Sequence, residues 1–110
     1  MVNIIKLDWD GIAYEIARKR LDKIKSFYVV TAYQIFESPS GDGYHVYVQL
    51  CVDLTVPASY KLRQRWKDDG QRIIMDVLFR PETVPHDILF TKKMVDGLEL
   101  KERLIEGWTR

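Results

Sequence analysis

Two runs rich in β-branched and aromatic residues, 27–37 (Phe-Tyr-Val-Val-Thr-Ala-Tyr-Gln-Ile-Phe-Glu) and 44–52 (Tyr-His-Val-Tyr-Val-Gln-Leu-Cys-Val), flank the segment Ser38-Pro39-Ser40-Gly41-Asp42-Gly43. Such side chains favour a pleated strand, and a Pro/Ser/Gly/Asp cluster between two strands favours a tight reversal. The pattern predicts an antiparallel hairpin. Side chains alternate across a strand, so Val46, Val48, Leu50 and Val52 share one face while His45, Tyr47, Gln49 and Cys51 share the other. One face is apolar and needs a covering layer; the other is polar.

The rest of the chain supplies that layer. Residues 3–9 predict a short strand, with Ile4, Ile5 and Leu7 mixed with Lys6 and Asp8. Asp10-Gly11 opens a helix with Asp10 as N-cap, and Ile12, Ile16, Lys19/Arg20, Lys23 and Ile24 recur at spacings of three and four. Pro57 suits a helix start, so 58–67 predict a second helix, broken by Asp68-Asp69-Gly70. Residues 71–79 fit a helix face or a buried strand equally well. Residues 87–91 predict a short strand and 99–108 a closing amphipathic helix. The order is β-α-β-β-α-β plus a C-terminal helix. It implies an α+β fold, ferredoxin-like or RRM-like, with an antiparallel sheet and its helices on one face. In that plan strands one and three lie side by side in the centre, which brings Asp8 and Asp10 next to His45.

At 110 residues the chain is the size of one domain, 1–110, and 46% hydrophobic residues are enough for a single core. No apolar run approaches the ~20 residues of a membrane helix. The first residues carry charge where a secretory leader is apolar, and the expectation is an intracellular protein without a membrane partner. A lone cysteine, Cys51, excludes an internal disulfide framework and any cysteine-based zinc cluster. Seventeen basic against sixteen acidic residues leave a net charge of +1, so a nucleic-acid function would have to rest on a local site.

Asp8 and Asp10, two apart on a strand, point to the same side. Paired carboxylates of that kind suit a hard divalent cation such as Mg²⁺ or Mn²⁺; the plainer reading is a helix cap and a solvated strand end. The Ser40-Gly41-Asp42-Gly43 turn offers backbone N–H groups to a phosphate, or is an ordinary hairpin loop. His45 lies on the polar face of its strand, opposite the Asp pair. Arg18, Lys19, Arg20, Lys23 and Lys25, with Lys61, Arg63, Arg65 and Lys67, form either a solvated helix face or a phosphate track behind the sheet. Tyr33 and Tyr47 either stack bases or join the core, and Trp9, Trp66 and Trp108 are assigned to packing.

Leu7-Asp8-Trp9-Asp10, Ser40-Gly41-Asp42-Gly43-Tyr44-His45-Val46-Tyr47-Val48 and Arg72-Ile73-Ile74-Met75-Asp76 together resemble the three motifs of the archaeo-eukaryotic primase superfamily. The middle segment is similar to one in the polymerase domains of bacterial end-joining ligases. The resemblance spans roughly residues 4–80 and implies an RRM-like catalytic palm. It implies that Asp8, Asp10 and Asp76 bind Mg²⁺ or Mn²⁺, and that Ser40, Gly41, Gly43 and His45 contact an incoming nucleotide. Asp8, Asp10 and His45 would then be the catalytic set of a minimal nucleotidyltransferase of a mobile element or virus, acting in DNA or RNA replication or repair. Asp76 depends on residues 71–79: in a strand it lines the sheet beside Asp8, whereas in a helix it joins Arg72 and Arg80 in a surface ladder. The chain is shorter than a complete primase and has no cysteine cluster for the zinc-binding element of several members. Two other readings remain: a non-catalytic RRM-like module that binds single-stranded nucleic acid on the open sheet, and a small interaction protein. The partners expected are a nucleotide, DNA or RNA, a second copy of the chain, or separate replication proteins.

Overall fold

Strand β1 (Val2–Asp10) leads into helix α1 (Tyr14–Phe27). The hairpin β2 (Val30–Glu37) and β3 (Gly43–Leu54) follows, then helix α2 (Val56–Arg65). Strands β4 (Lys92–Val95), β5 (Leu98–Lys101) and β6 (Arg103–Thr109) complete the chain. The structure, a computed structural model, describes residues 2–39, 41–70, 73–74, 92–95, 98–101 and 103–109. The fold is α+β. A four-stranded antiparallel sheet runs in the order β1-β3-β2-β6, and β4 and β5 pair separately.

The expected hairpin forms in the expected place. Ser38 N–H donates to the Gly43 carbonyl at 3.0 Å and Gly41 N–H to the Ser38 carbonyl at 2.9 Å, closing the turn, with Gly41 in the left-handed region at φ 78°. The apolar face expected of β3 is also observed for Val46, Val48 and Leu50. Val52 is the exception: it lies beyond the covered part of the sheet and is exposed. Ile5, Leu7 and Trp9 from β1 and Tyr33 and Ile35 from β2 join the same layer, which meets Ala17, Leu21 and Ile24 of α1 and Trp66 after α2. Both helices therefore cover one face of the sheet.

Four expectations need correction. First, Asp10 does not cap α1. It is the last residue of β1, and the helix begins three residues later behind Ala13, whose side chain makes no cap bond. The delay has a cause: Gly11 turns at φ 68° and donates its N–H to the Asp42 carbonyl at 2.7 Å, so the chain is tied to the β2–β3 turn before it can coil. Second, the buried stripe of α1 is Ala17, Leu21 and Ile24, while Ile16 is exposed. Third, β1 and β3 are antiparallel neighbours as expected, but among the described strands β1 ends the sheet, and the strand beside β2 is β6.

Fourth, the segment 99–108 forms no closing helix; it contributes to β5 and β6. Glu106 explains why. Its carboxylate accepts from the Tyr14 hydroxyl at 2.6 Å and the Tyr33 hydroxyl at 2.8 Å, and pairs with Arg18 at 3.2 Å. Two hydroxyls and a guanidinium from other elements hold this segment against the edge of β2, where Trp108 stacks on Tyr33 at 5.8 Å. Such contacts outweigh a helical period that has no partner. The Tyr14 and Tyr33 hydroxyls and the nearby positive charges of Arg18 and Lys25 hold the Glu106 carboxyl below its usual range.

After α2 the chain resumes helical backbone at Gly70, Ile73 and Ile74, with the Ile73 N–H donating to the Asp69 carbonyl at 3.2 Å. Ser40, Asp76, most of 71–79 and the strand expected at 87–91 lie outside the described residues.

Candidate metal centre

The face of the sheet turned away from α1 and α2 carries Ile4, Lys6, Asp8 and Asp10 from β1 and His45, Tyr47 and Gln49 from β3, each alternating with a core residue. The β1–β3 register pairs Asp8 with His45 and Asp10 with Gly43. The juxtaposition expected from topology is thus a direct cross-strand pair. His45 is buried at 4% exposure, and its Nε2 lies 3.8 Å from the Asp8 Oδ1. The histidine side chain is the more buried of the two, at 5% exposure against 17% for Asp8. Gly43 is required by close approach: a Cβ there would come within 2.5 Å of the Trp9 carbonyl oxygen and 2.8 Å of the Asp10 Cα. This contact presses the turn against the end of β1 and sets where the exposed Asp10 carboxylate stands.

A third carboxylate joins the pair. Oxygens of Asp8, Asp10 and Asp69 all lie within 4.8 Å of one another. Asp69 comes from the chain just past α2, and a buried ion pair brings it there. Arg63 Nε donates to Asp68 Oδ2 at 2.7 Å, with side chains 1% and 0% exposed. The other oxygen, Asp68 Oδ1, accepts the Asp8 backbone N–H at 2.8 Å and the Asp69 N–H at 2.8 Å. The Trp9 indole N–H donates to the Trp66 carbonyl at 2.9 Å, a second tie between the same two segments. Thr55 starts α2 as a working N-cap, its hydroxyl oxygen accepting from the Ala58 N–H at 3.2 Å. The helix ends in a reversal in which the Lys67 N–H donates to the Gln64 carbonyl and the Asp68 N–H to the Arg63 carbonyl. This is the Schellman arrangement, with Lys67 at φ 63° where glycine is usual.

Of the residues expected at the site, the structure brings together Asp8, Asp10 and His45 and sets Gly41 and Gly43 in the adjoining turn. The Gly41 N–H is used in closing that turn. Ser40 and Asp76 lie outside the described residues. Asp69 and Asp68 were not anticipated at the site, and Arg63, expected on a solvated helix face or phosphate track, is instead buried against Asp68. The signal was present as Asp-Asp-Gly directly after a helix, but it reads locally as a helix stop.

The donor set is all oxygen and anionic, which is what Mg²⁺ or Mn²⁺ prefers. In an octahedral site with ~2.1 Å bonds, adjacent ligands stand about 3.0 Å apart and opposite ones about 4.2 Å, so the three carboxylates must draw inward to share one ion. Like charges this close repel, and a divalent cation between them relieves that repulsion. No protein family, curated protein or solved structure matches the chain.

Proposed function

We propose that the chain is a small nucleotide-binding palm of primase–polymerase type, acting with Mg²⁺ or Mn²⁺ held by Asp8, Asp10 and Asp69. The observation that carries this reading is the convergence of three carboxylates within 4.8 Å at the mouth of the β2–β3 turn, from two strand positions and one helix exit. The β1-α1-β2-β3-α2 order, with β1 beside β3 and both helices on one face, supports a ferredoxin-like or RRM-like descent in which β6 lies beside β2.

In this reading the exposed Asp10 and half-exposed Asp69 form the outer wall and Asp8 the inner one. His45, 3.8 Å from Asp8 across the β1–β3 pair, would serve as its positioning neighbour. Asp8, Asp10 and Asp69 would hold the cation, which would supply charge neutralisation to a nucleoside triphosphate and so favour attack of a primer 3′ oxygen on its α-phosphorus, with pyrophosphate leaving. The turn before Gly43 would border the phosphates of a bound nucleotide.

The test is a thermal-shift titration with dATP and ATP, with Mn²⁺, each alone and together, on the protein and its Asp8→Asn/Asp10→Asn variant. The expected result is a rise in Tm that needs nucleotide and metal together and is absent in the variant. A response to nucleotide that is indifferent to metal, or an unchanged response in the variant, overturns the reading. It would turn attention to the open sheet as a metal-independent single-strand binder.

A further inference from the structure

A cleft of about 500 Å³ opens on the helix side of the molecule, between the end of α1 and the exit of α2. Its floor is apolar: Ile24, Tyr28 and Trp66, the last two packed edge to face at 5.1 Å. Phe27 stands at its lip with 74% of its surface exposed, a large aromatic ring presented to solvent. The rim is cationic on both sides, with Arg20 and Lys23 from α1 and Arg65 and Lys67 from the α2 exit. Among the described residues none of these four is in an ion pair. Arg65 donates to the Tyr28 hydroxyl at 2.9 Å, and Arg20 lies over the Trp9 ring at 5.4 Å, so two of the cations are fixed in place.

Lys67 adds an independent observation. It occupies a left-handed backbone position at φ 63°, where glycine is usual and a side chain is disfavoured. That strained position delivers a fourth positive charge to the rim.

We propose that this cleft binds single-stranded nucleic acid, one base lying on Phe27 and the flanking phosphates on Arg20, Lys23, Arg65 and Lys67. Charge complementarity requires an anion, and the exposed ring with the apolar floor requires a flat apolar body between the charges. A nucleotide joins the two within its own length. The volume suits a ligand of that size, whereas an acidic helix would need a groove several turns long with repeated apolar pockets. The surface lies on the helix side of the sheet, and Asp8, Asp10 and Asp69 are not among its lining residues.

The experiment is fluorescence anisotropy of a labelled twelve-residue oligodeoxythymidine in EDTA, which silences any binding routed through Asp8, Asp10 and Asp69. Binding that weakens with salt is expected. Lys23→Gln/Lys67→Gln lowers affinity at least fivefold and reduces the log–log salt slope by about 1.4, the value for two phosphate contacts on a single strand. Phe27→Ala costs at least fivefold through the lost stack, and its exposure leaves the core intact. No binding in EDTA, equal binding by both variants, or displacement by polyglutamate as readily as by unlabelled oligonucleotide overturns the proposal. A thermal melt of each variant checks that the fold is retained.

Discussion

The backbone N–H of Asp8 donates to the carboxylate of Asp68, 60 residues further along the chain, at 2.8 Å. The same carboxylate neutralises the buried Arg63 guanidinium. One side chain therefore secures the edge of β1, ends α2 and carries its neighbour Asp69 to the candidate metal centre.

Removing that carboxylate strands a buried charge. Asp68→Ala is expected to lower stability by about 3–5 kcal/mol, the usual cost of breaking a buried pair from one side. Urea titration measures it. Arg63→Met combined with Asp68→Leu should recover part of the loss, because no charge then remains unpaired, while the metal response stays impaired because Asp69 is no longer placed.

Asp69 distinguishes the observed site from one built of Asp8 and Asp10 alone. Asp69→Asn is expected to weaken Mn²⁺ binding at least tenfold with little change in Tm in metal-free buffer, since the side chain is only half-buried. Isothermal titration reads the affinity. Unaltered binding would show that two carboxylates suffice.

Gly43→Ala places a methyl group against the backbone of Trp9 and Asp10. Because the contact is backbone rather than a flexible side-chain end, the strands must part. The expected cost is about 1–3 kcal/mol, with a parallel loss of metal affinity as Asp10 is displaced. Thermal denaturation and Mn²⁺ titration of the same preparation test both.

Glu106 makes the attachment of β6 sensitive to acid. Its carboxyl titrates below the ordinary value of 4.5 in the folded protein, chiefly because the Tyr14 and Tyr33 hydroxyls donate to the charged form. A lowered folded value means that the native state binds fewer protons. The contribution is therefore complete above pH 4.5 and fades as pH falls from there through the lowered value. Trp108, stacked on Tyr33, reports the change by fluorescence. Glu106→Gln should flatten the acid limb and cost about 1 kcal/mol at neutral pH, the group being partly solvated.

Lys67→Gly should stabilise the fold by about 0.5–1 kcal/mol by relieving the left-handed backbone. In the same variant, affinity for single-stranded DNA should fall. Opposite signs in a melt and an anisotropy titration would separate the residue's structural cost from its use.

What could be read from the sequence was what strand alternation controls. The period of two along β3 places Val46, Val48 and Leu50 inward and His45 and Tyr47 outward, and the β-α-β-β order makes β1 and β3 neighbours. Asp8 therefore meets His45. The site residues that were missed arrive by contacts with no local period. Asp69 is carried by a buried pair between Arg63 and Asp68, and an Asp-Asp-Gly after a helix carries no trace of which strand edge it will reach. Asp10 was misread as a cap because nothing local records that Gly11 is tied to Asp42. The segment around Glu106 and Trp108 has an amphipathic helical spacing, yet two distant tyrosine hydroxyls decide its conformation.

The Asp68 carboxylate also bears on how molecules of this protein avoid one another. A strand at the end of a sheet offers its outward N–H groups to any extended chain nearby. At Asp8 that offer is already taken by an oxygen of the same molecule. Among the described strands β1 ends the sheet, so a variant that loses Asp68 leaves the Asp8 N–H without this partner as well as losing stability, and its failure should depend on concentration. Dilute samples would refold after heating, whereas concentrated ones would precipitate by strand addition between neighbours.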